Sequence, residues 1–341
     1  MKKIVSGFLI FIAVCAVFSG AVSATEWTPV TVTDANGDRI TITEYPTKII
    51  SLAPANTEII YAVGAGDRLV GDTTYCNYPE AAKSVEKIGE FSVINRERII
   101  ALSDGPTVIF ANPNNGKDTI RYLRDQGLTV IVVNPDSIDA VYSSIAMIGD
   151  AVGNRAEADK VVTEMKVGIK QITDKLAGAT TKPTIMHAMS VDPFYVSGSK
   201  TFQNELFELA GAANAFADVE GWSAVTLEKL LVADPQIIVT DPGADMGTAG
   251  YDSLRESFST EPRLSTLSAV KNDKVSVIDA DIFDRGGPRV VEALQQLVKI
   301  THPEIFGEAS APASTQQSPG FGIAAGLAGI LGAVLLFKRR A

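Results

Sequence analysis

The sequence predicts an α/β protein built from two doubly wound lobes, joined by one long helix, with a ligand cleft between them. Three observations carry this prediction. From Lys48 onward, short β-branched runs alternate with helix-length segments, the rhythm of a parallel sheet covered by helices. A second alternating series begins at Thr184. Between the two, Arg155–Leu176 places Ala158, Val161, Val162, Met165, Ile169, Ile172 and Leu176 mostly three or four apart, which marks one helix. At the α-helical rise that segment is about 33 Å long.

The elements follow in chain order. Residues 28–33 and 39–43 are β-branched runs around Asp34-Ala35-Asn36-Gly37-Asp38, a turn composition that predicts a hairpin. Residues 49–53 read as a buried strand, and Asn56 or Thr57 is expected to cap a helix running to Val63 and stopped by Gly64. Strand 68–71 comes next, then a helix over Arg96–Leu102 capped by Asn95. Thr107–Ala111 is a strand, 117–126 a helix ended by Gly127, 129–133 a strand and 137–151 a helix punctuated by Gly153. Beyond the long helix the expected elements are strand 184–189, helices 203–210 and 226–233, strands 236–240 and 274–278, and helix 288–300.

Both ends are directed at a membrane. Lys2 and Lys3 precede an apolar run over residues 4–17, and Ala21-Val22-Ser23-Ala24 supplies the small residues of a cleavage site, so residues 1–24 read as a signal peptide. A lipoprotein modified at Cys15 is the rival reading. It is set aside because apolar sequence continues past Cys15 and small residues do not lead into it. Residues 25–46 form the hairpin extension, 47–154 the first lobe, 155–177 the linking helix and 178–308 the second lobe. A polar linker, 309–319, leads to the C-terminal segment 320–341. That segment has an apolar run at 322–337 and ends Lys338-Arg339-Arg340. As a helix the run is about 24 Å long, marginal for a hydrocarbon core of ~30 Å, and the basic end is expected to stay on the cytoplasmic side. Ser318-Pro319-Gly320-Phe321, the apolar run and the basic tail together resemble the PGF-type C-terminal sorting signal of archaeal surface proteins. The resemblance implies cleavage and replacement by lipid; a plain anchor helix is the alternative. Either way the body is expected outside the cell.

Without the five terminal bases, 25 basic residues face 40 acidic ones, a net charge of −15. That excess argues against nucleic acid or an anionic membrane surface as partner. Cys76 is the one cysteine in the body, so no intramolecular disulfide is available.

Four ordered blocks carry a family resemblance. Ile49-Ile50-Ser51-Leu52-Ala53-Pro54-Ala55-Asn56-Thr57-Glu58 resembles the start of the vitamin B12-binding protein family and its ferric-siderophore and haem-binding relatives. Val70-Gly71-Asp72-Thr73-Thr74-Tyr75-Cys76-Asn77-Tyr78-Pro79, the stretch Ile94-Asn95-Arg96-Glu97-Arg98-Ile99-Ile100-Ala101-Leu102 and residues 281–289 continue it in the same order. The similarity spans about Thr47 to His302. It implies two rigid lobes, a monomer that holds a corrinoid, siderophore or haem chelate, and delivery to an ABC permease with its ATPase. A helical linker limits hinge motion, so closure is expected to be small.

The same resemblance implies a site. Tyr75 stands where the B12 binder has a cleft tyrosine, Phe91 where it has a tryptophan, Tyr195 where it has a phenylalanine, and Trp222 matches a tryptophan. Asp281 and Arg285 match a polar pair near the ligand. A large flat ligand asks for aromatic area and a few placed polar groups, and Arg285 suits a carboxylate or phosphate. After strand Thr107–Ala111, Asn112-Pro113-Asn114-Asn115-Gly116 has no aromatic where the B12 binder places one. Asn112 is expected to give the pocket a polar surface, which keeps hydroxamate and catecholate chelates open beside corrinoids. The family meets permease arginines with one surface glutamate per lobe, which implies that role for Glu97 and Glu228.

Catalysis finds little support. The chain has no Gly-x-Ser-x-Gly elbow and no Gly-x-x-x-x-Gly-Lys loop, and Gly64-Ala65-Gly66 lacks the third glycine of a dinucleotide site. His187 and His302 are read as structural, and Asp241, Asp245 and Asp252 as residues of a solvated loop. Asp281 and Asp284 lack a nearby histidine in sequence, so no metal site, cofactor or catalytic residue is expected. A surface structural or adhesion protein is the remaining alternative.

Overall fold

The computed structural model describes residues 27–241 and 251–307, without the side chains of 251–253. The expected signal peptide, linker and C-terminal segment lie outside these residues. No helix among them is long and apolar enough to cross a membrane.

The chain opens with β1 (Val30–Thr33) and β2 (Arg39–Ile42), an antiparallel pair. The Asp34 side chain accepts from the backbone amides of Asn36 and Asp38, which closes the expected turn. The first lobe follows: β3 (Lys48–Ser51), α1 (Pro54–Ala62), β4 (Leu69–Gly71), α2 (Arg96–Leu102), β5 (Thr107–Ala111), α3 (Lys117–Asp125), β6 (Thr129–Val132) and α4 (Ile138–Val152). Its four strands run in the order β4-β3-β5-β6, all parallel. Nearly every residue of β5 and β6 is buried, as a sheet covered on both faces requires.

Asn95 caps α2 as expected, its side chain accepting from the Arg98 amide. The expected cap of α1 is different. That helix starts at Pro54, with Ala53 preceding it, because proline's fixed φ suits the first helical position. Asn56 and Thr57 are buried inside the helix instead. Asn56 Nδ2 donates to the Phe110 and Ala111 carbonyls at 3.3 Å each, and Thr57 Oγ1 donates to Ser51 Oγ at 2.8 Å. They bind the helix to the ends of β3 and β5. Cys76 is buried and free, its sulfur 3.1 Å from the Thr57 hydroxyl.

Gly153, in the left-handed region at φ 79°, ends α4 and lets the chain turn into α5 (Arg155–Leu176). The second lobe comprises β7 (Thr184–Val191), β8 (Phe194–Ser197), α6 (Phe202–Leu209), β9 (Ala213–Asn214), β10 (Trp222–Val225), α7 (Leu227–Ala233), β11 (Ile237–Thr240), α8 (Tyr251–Thr260), α9 (Ser268–Lys271), β12 (Val275–Val277), α10 (Ala280–Phe283) and α11 (Val290–Thr301). Its sheet runs β10-β8-β7-β11-β12, with β9 beside β7. β7, β11 and β12 are parallel, whereas β8 and β10 are antiparallel additions that the alternation did not predict. Only Asp192 and Pro193 separate β7 from β8, and so short a connection permits antiparallel pairing alone.

One apolar core crosses the molecule. It joins Ile49, Val108 and Ile131 of the first sheet to Ile185 and Val239 of the second through Ile145, Met165, Ile169, Leu206 and Leu294. The linking helix is therefore embedded in the core along one face, with α4 and α11 against it. Two smaller cores cover the outer faces of the sheets.

Candidate functional site: the interlobe cleft

Between the lobes lies a cavity of about 670 Å³. The first lobe lines it with residues that follow the C-terminal ends of its parallel strands: Ala53, Pro54 and Ala55 after β3, Asn112 and Asn114 after β5, Asn134 and Asp136 after β6. That is where an open α/β sheet places its ligands. Tyr75, Glu90 and Phe91 extend this wall. From the second lobe come Met189, Phe202, Gln203, Trp222, Asp284 and Arg285.

Five of the seven residues expected at the ligand therefore share this cavity: Tyr75, Phe91, Asn112, Trp222 and Arg285. Tyr195 stands one place back, 37% exposed, its ring stacked on Trp222 with centroids 6.1 Å apart and planes 13° from parallel. Asp281 is also behind the wall, bonded to Arg285 at 2.6 Å and to Asn77 Nδ2 at 2.6 Å. Arg285 is only partly available to a ligand, because Nη1 also donates to Asn77 Oδ1 at 2.7 Å and Nη2 to the Tyr75 carbonyl at 3.2 Å. Asn112 is held by its neighbours, its side chain accepting from the Asn114 amide at 3.0 Å. Glu97 and Glu228 are outside the cavity lining, both exposed in the first turn of short helices, α2 and α7.

The polar lining is acidic and rich in amides. Glu90, Asp136 and Asp284 face two bases, Lys200 and Arg285. Both bases already have carboxylate partners: Lys200 has Glu220 at 2.9 Å, and Arg285 has Asp281. Asn112, Asn114, Asn134 and Gln203 add four carboxamides.

Behind Trp222 the structure corrects the reading of a solvated aspartate loop. Asp241 is fully buried at the end of β11 and hydrogen-bonded to Nε2 of His187, itself fully buried in β7. Asp245 lies outside the described residues, and Asp252 belongs to α8. Asp284 shares a hydrogen bond with Asp241 and accepts from Gln203 Nε2 at 2.9 Å. Burial, followed by the charge of Asp241, pushes the Asp284 carboxyl up to about 7. Burial opposes charge on His187, but the Asp241 carboxylate outweighs it and pushes the imidazole up.

Asp284 therefore does have a histidine near it. Donor atoms of His187, Asp241 and Asp284 lie within 4.8 Å of one another. The chain was invisible in sequence because its members are 54 and 43 residues apart and meet only through strand order. The three residues form a hydrogen-bonded chain behind the cavity wall, and Nδ1 of His187 is buried with no hydrogen-bond partner among the described residues. The ring meets the Trp222 indole edge-on at 5.3 Å and Phe283 at 5.0 Å, so it also braces the aromatic wall.

Comparison with known proteins agrees with this architecture. The family model described as periplasmic binding protein matches residues 49–282, and the PGF-CTERM motif matches residues 318–340. The chain is 38% identical over 297 residues to an ABC transporter substrate-binding lipoprotein, YvrC, of Bacillus subtilis (strain 168), covering 85% of this chain and 91% of that protein. It is 29% identical over 254 residues to the vitamin B12-binding protein of Photorhabdus laumondii, covering 74% and 86%. The solved vitamin B12-binding protein of Vibrio cholerae superposes with a TM-score of 0.65 at 28% identity, covering 75% of this chain and 97% of that one. A possible iron-binding periplasmic protein of Staphylococcus epidermidis gives 0.66 at 29%, covering 76% and 100%. These relatives are substrate-binding proteins of transporters rather than enzymes, and the sorting motif places the body at the cell surface. With its two α/β lobes, linking helix and lined cleft, the chain belongs to the periplasmic binding protein family of ABC-transporter substrate-binding proteins.

Proposed function

We propose that this protein captures a corrinoid in the interlobe cleft and delivers it to an ABC permease. The observation that carries the reading is the charge of the lining. The acids Glu90 and Asp136, with Asp284, whose buried carboxyl is raised to about 7, face an Arg285 largely held by protein partners and a Lys200 in a surface pair with Glu220. Four carboxamides stand beside four aromatic rings, those of Tyr75, Phe91, Phe202 and Trp222. Such a wall disfavours the propionates of haem and the negative charge of catecholate iron chelates. It suits a broad ring whose rim carries carboxamides, because amides donate to carboxylates and exchange hydrogen bonds with asparagine and glutamine. The B12-binding relatives support the same class. A cationic hydroxamate chelate satisfies the same charge pattern and is the second reading.

Titration calorimetry of the purified protein with cyanocobalamin, haemin and a ferric catecholate tests this. Saturable one-to-one binding of the corrinoid with little heat from the anionic pair is expected. Tight haemin binding without corrinoid binding overturns the proposal.

Delivery rests on Glu97 and Glu228. Each lobe offers one exposed glutamate with an exposed valine nearby in the chain, Val93 at 68% and Val232 at 86%. That pairing of a charge with an apolar contact suits docking to permease arginines as a monomer. We assign the C-terminal segment to cleavage and lipid attachment, which mass spectrometry of the membrane-bound form checks.

A further inference from the structure

Besides the apolar core they share, the lobes are joined by a polar cluster next to the cleft wall. Glu58, on α1, is almost fully buried, with a side-chain exposure of 3%. It receives a two-pronged grip from Arg289 of the second lobe, with Nε to Oε2 at 2.8 Å and Nη2 to Oε1 at 2.6 Å. Arg285 Nη1 lies 3.4 Å from the same carboxylate. Asn77, in the loop after β4, accepts from Arg285 at 2.7 Å and donates to Asp281 at 2.6 Å. The Arg289 guanidinium lies 4.0 Å from the centre of the Tyr78 ring. Asp279 and Glu292 add acidic charge around Arg289, and each cross-lobe bond spans more than 200 residues of sequence.

This cluster touches the cavity wall directly. Arg285 lines the cavity, and its Nη2 holds the carbonyl of Tyr75, a wall aromatic of the opposite lobe. The apolar core is non-directional, whereas a buried, bidentate tie between α1 and Arg289 fixes a specific geometry across the lobes. Ligand capture is strongest when the binding geometry is the dominant state of the free protein, because apparent affinity scales with the competent fraction.

We infer that Glu58 is a positioning residue for ligand capture, clasping Arg289 and Arg285 so that the gap between lobes and the place of Tyr75 are set before any ligand arrives. Glu58 itself is shielded from the ligand; it acts through the two arginines. Release by the permease then requires this clasp to be pulled open, which gives the docking glutamates of the two lobes a load to work against.

Pulsed EPR on the full-length protein carrying Cys15→Ser, with spin labels at Lys117→Cys and Lys271→Cys, reads the gap without ligand. Wild type is expected to show one narrow interlobe distance distribution. Glu58→Gln, which keeps the shape and loses the charge, and Arg289→Lys, which keeps the charge and loses the fork, are each expected to broaden it at least twofold. Glu58→Asp is expected to fall between. The affinity arm rests on the corrinoid reading: cyanocobalamin binding is expected to weaken at least tenfold in Glu58→Gln. Should wild type bind no corrinoid, that reading fails while the distances still decide the clasp. A lowered melting temperature with unchanged distance distributions in both variants makes Glu58 merely structural and overturns the inference; if Glu58→Gln does not fold, Arg289→Lys decides it.

Discussion

Gly286 approaches Pro135 so closely that a β-carbon at position 286 would stand 2.0 Å from the Pro135 carbonyl oxygen. The two residues belong to opposite lobes, and both line the cleft. Glycine is required here for space, since any side chain must drive backbone from backbone. Gly286→Ala is expected to push the lobes apart, to cost about 1–3 kcal/mol of stability as an overpacking change, and to weaken ligand binding by at least tenfold. Urea unfolding and calorimetry read the two effects.

Trp222 and Tyr195 form one stack but face the cavity unequally. Trp222 lines it and Tyr195 backs it. Trp222→Ala is expected to cost about 2–4 kcal/mol of ligand binding, in the range of buried aromatic anchors. Tyr195→Ala is expected to cost about 1 kcal/mol, the scale of an aromatic pair contact. Calorimetric titration of both variants checks the order; equal losses would put Tyr195 in direct contact with the ligand.

The buried carboxyl of Asp284 makes stability depend on pH. Its carboxyl titrates at about 7 in the fold against an ordinary 3.8, so the folded state binds the proton more tightly than the unfolded chain. Its contribution is complete below pH 4 and is lost as pH rises through 7. His187, also pushed up, and Asp72, raised to about 6 chiefly by burial, act in the same direction. The urea midpoint is expected to fall between pH 5 and pH 8. Asp284→Asn should flatten much of that slope; an unchanged slope would remove Asp284 from the account.

Docking and capture are expected to separate cleanly. Glu97 and Glu228 are exposed and stand outside the cavity lining. The double variant Glu97→Lys, Glu228→Lys is expected to abolish most uptake in cells while leaving ligand affinity within twofold. A parallel fall in affinity would contradict the docking role.

Much of the fold was legible because its signals are local. The strand Thr107–Ala111 and the helix Arg155–Leu176 end where composition and periodicity predict. β8 and β10 were not legible, since they pair antiparallel outside the strand–helix alternation. The cap of α1 was misplaced for a related reason: Asn56 and Thr57 are good capping types, but buried carbonyls and hydroxyls of neighbouring strands claim them first. At the site, the sequence reading named five residues that line the cavity, Tyr75, Phe91, Asn112, Trp222 and Arg285. Asn134, Asp136 and Gln203 were missed, although the rule that ligands lie beyond strand C-termini points to the first two.

The aromatic residues suited to a large ligand came from the family resemblance. From the sequence alone came the two α/β series, the rod between them and the membrane-directed ends, each a property of residues close together in the chain, where periodicity, turn chemistry and hydropathy act. The tertiary structure alone decided which charges are spent on protein partners and which remain for a ligand. Arg285 is largely held by Asp281, Asn77 and Tyr75, Glu58 grips Arg289 across the lobes, and Asp241 lies buried beside His187. A charge acquires its role from the burial and partners that folding brings to it across hundreds of residues, and pairings of that range leave no periodic trace in sequence.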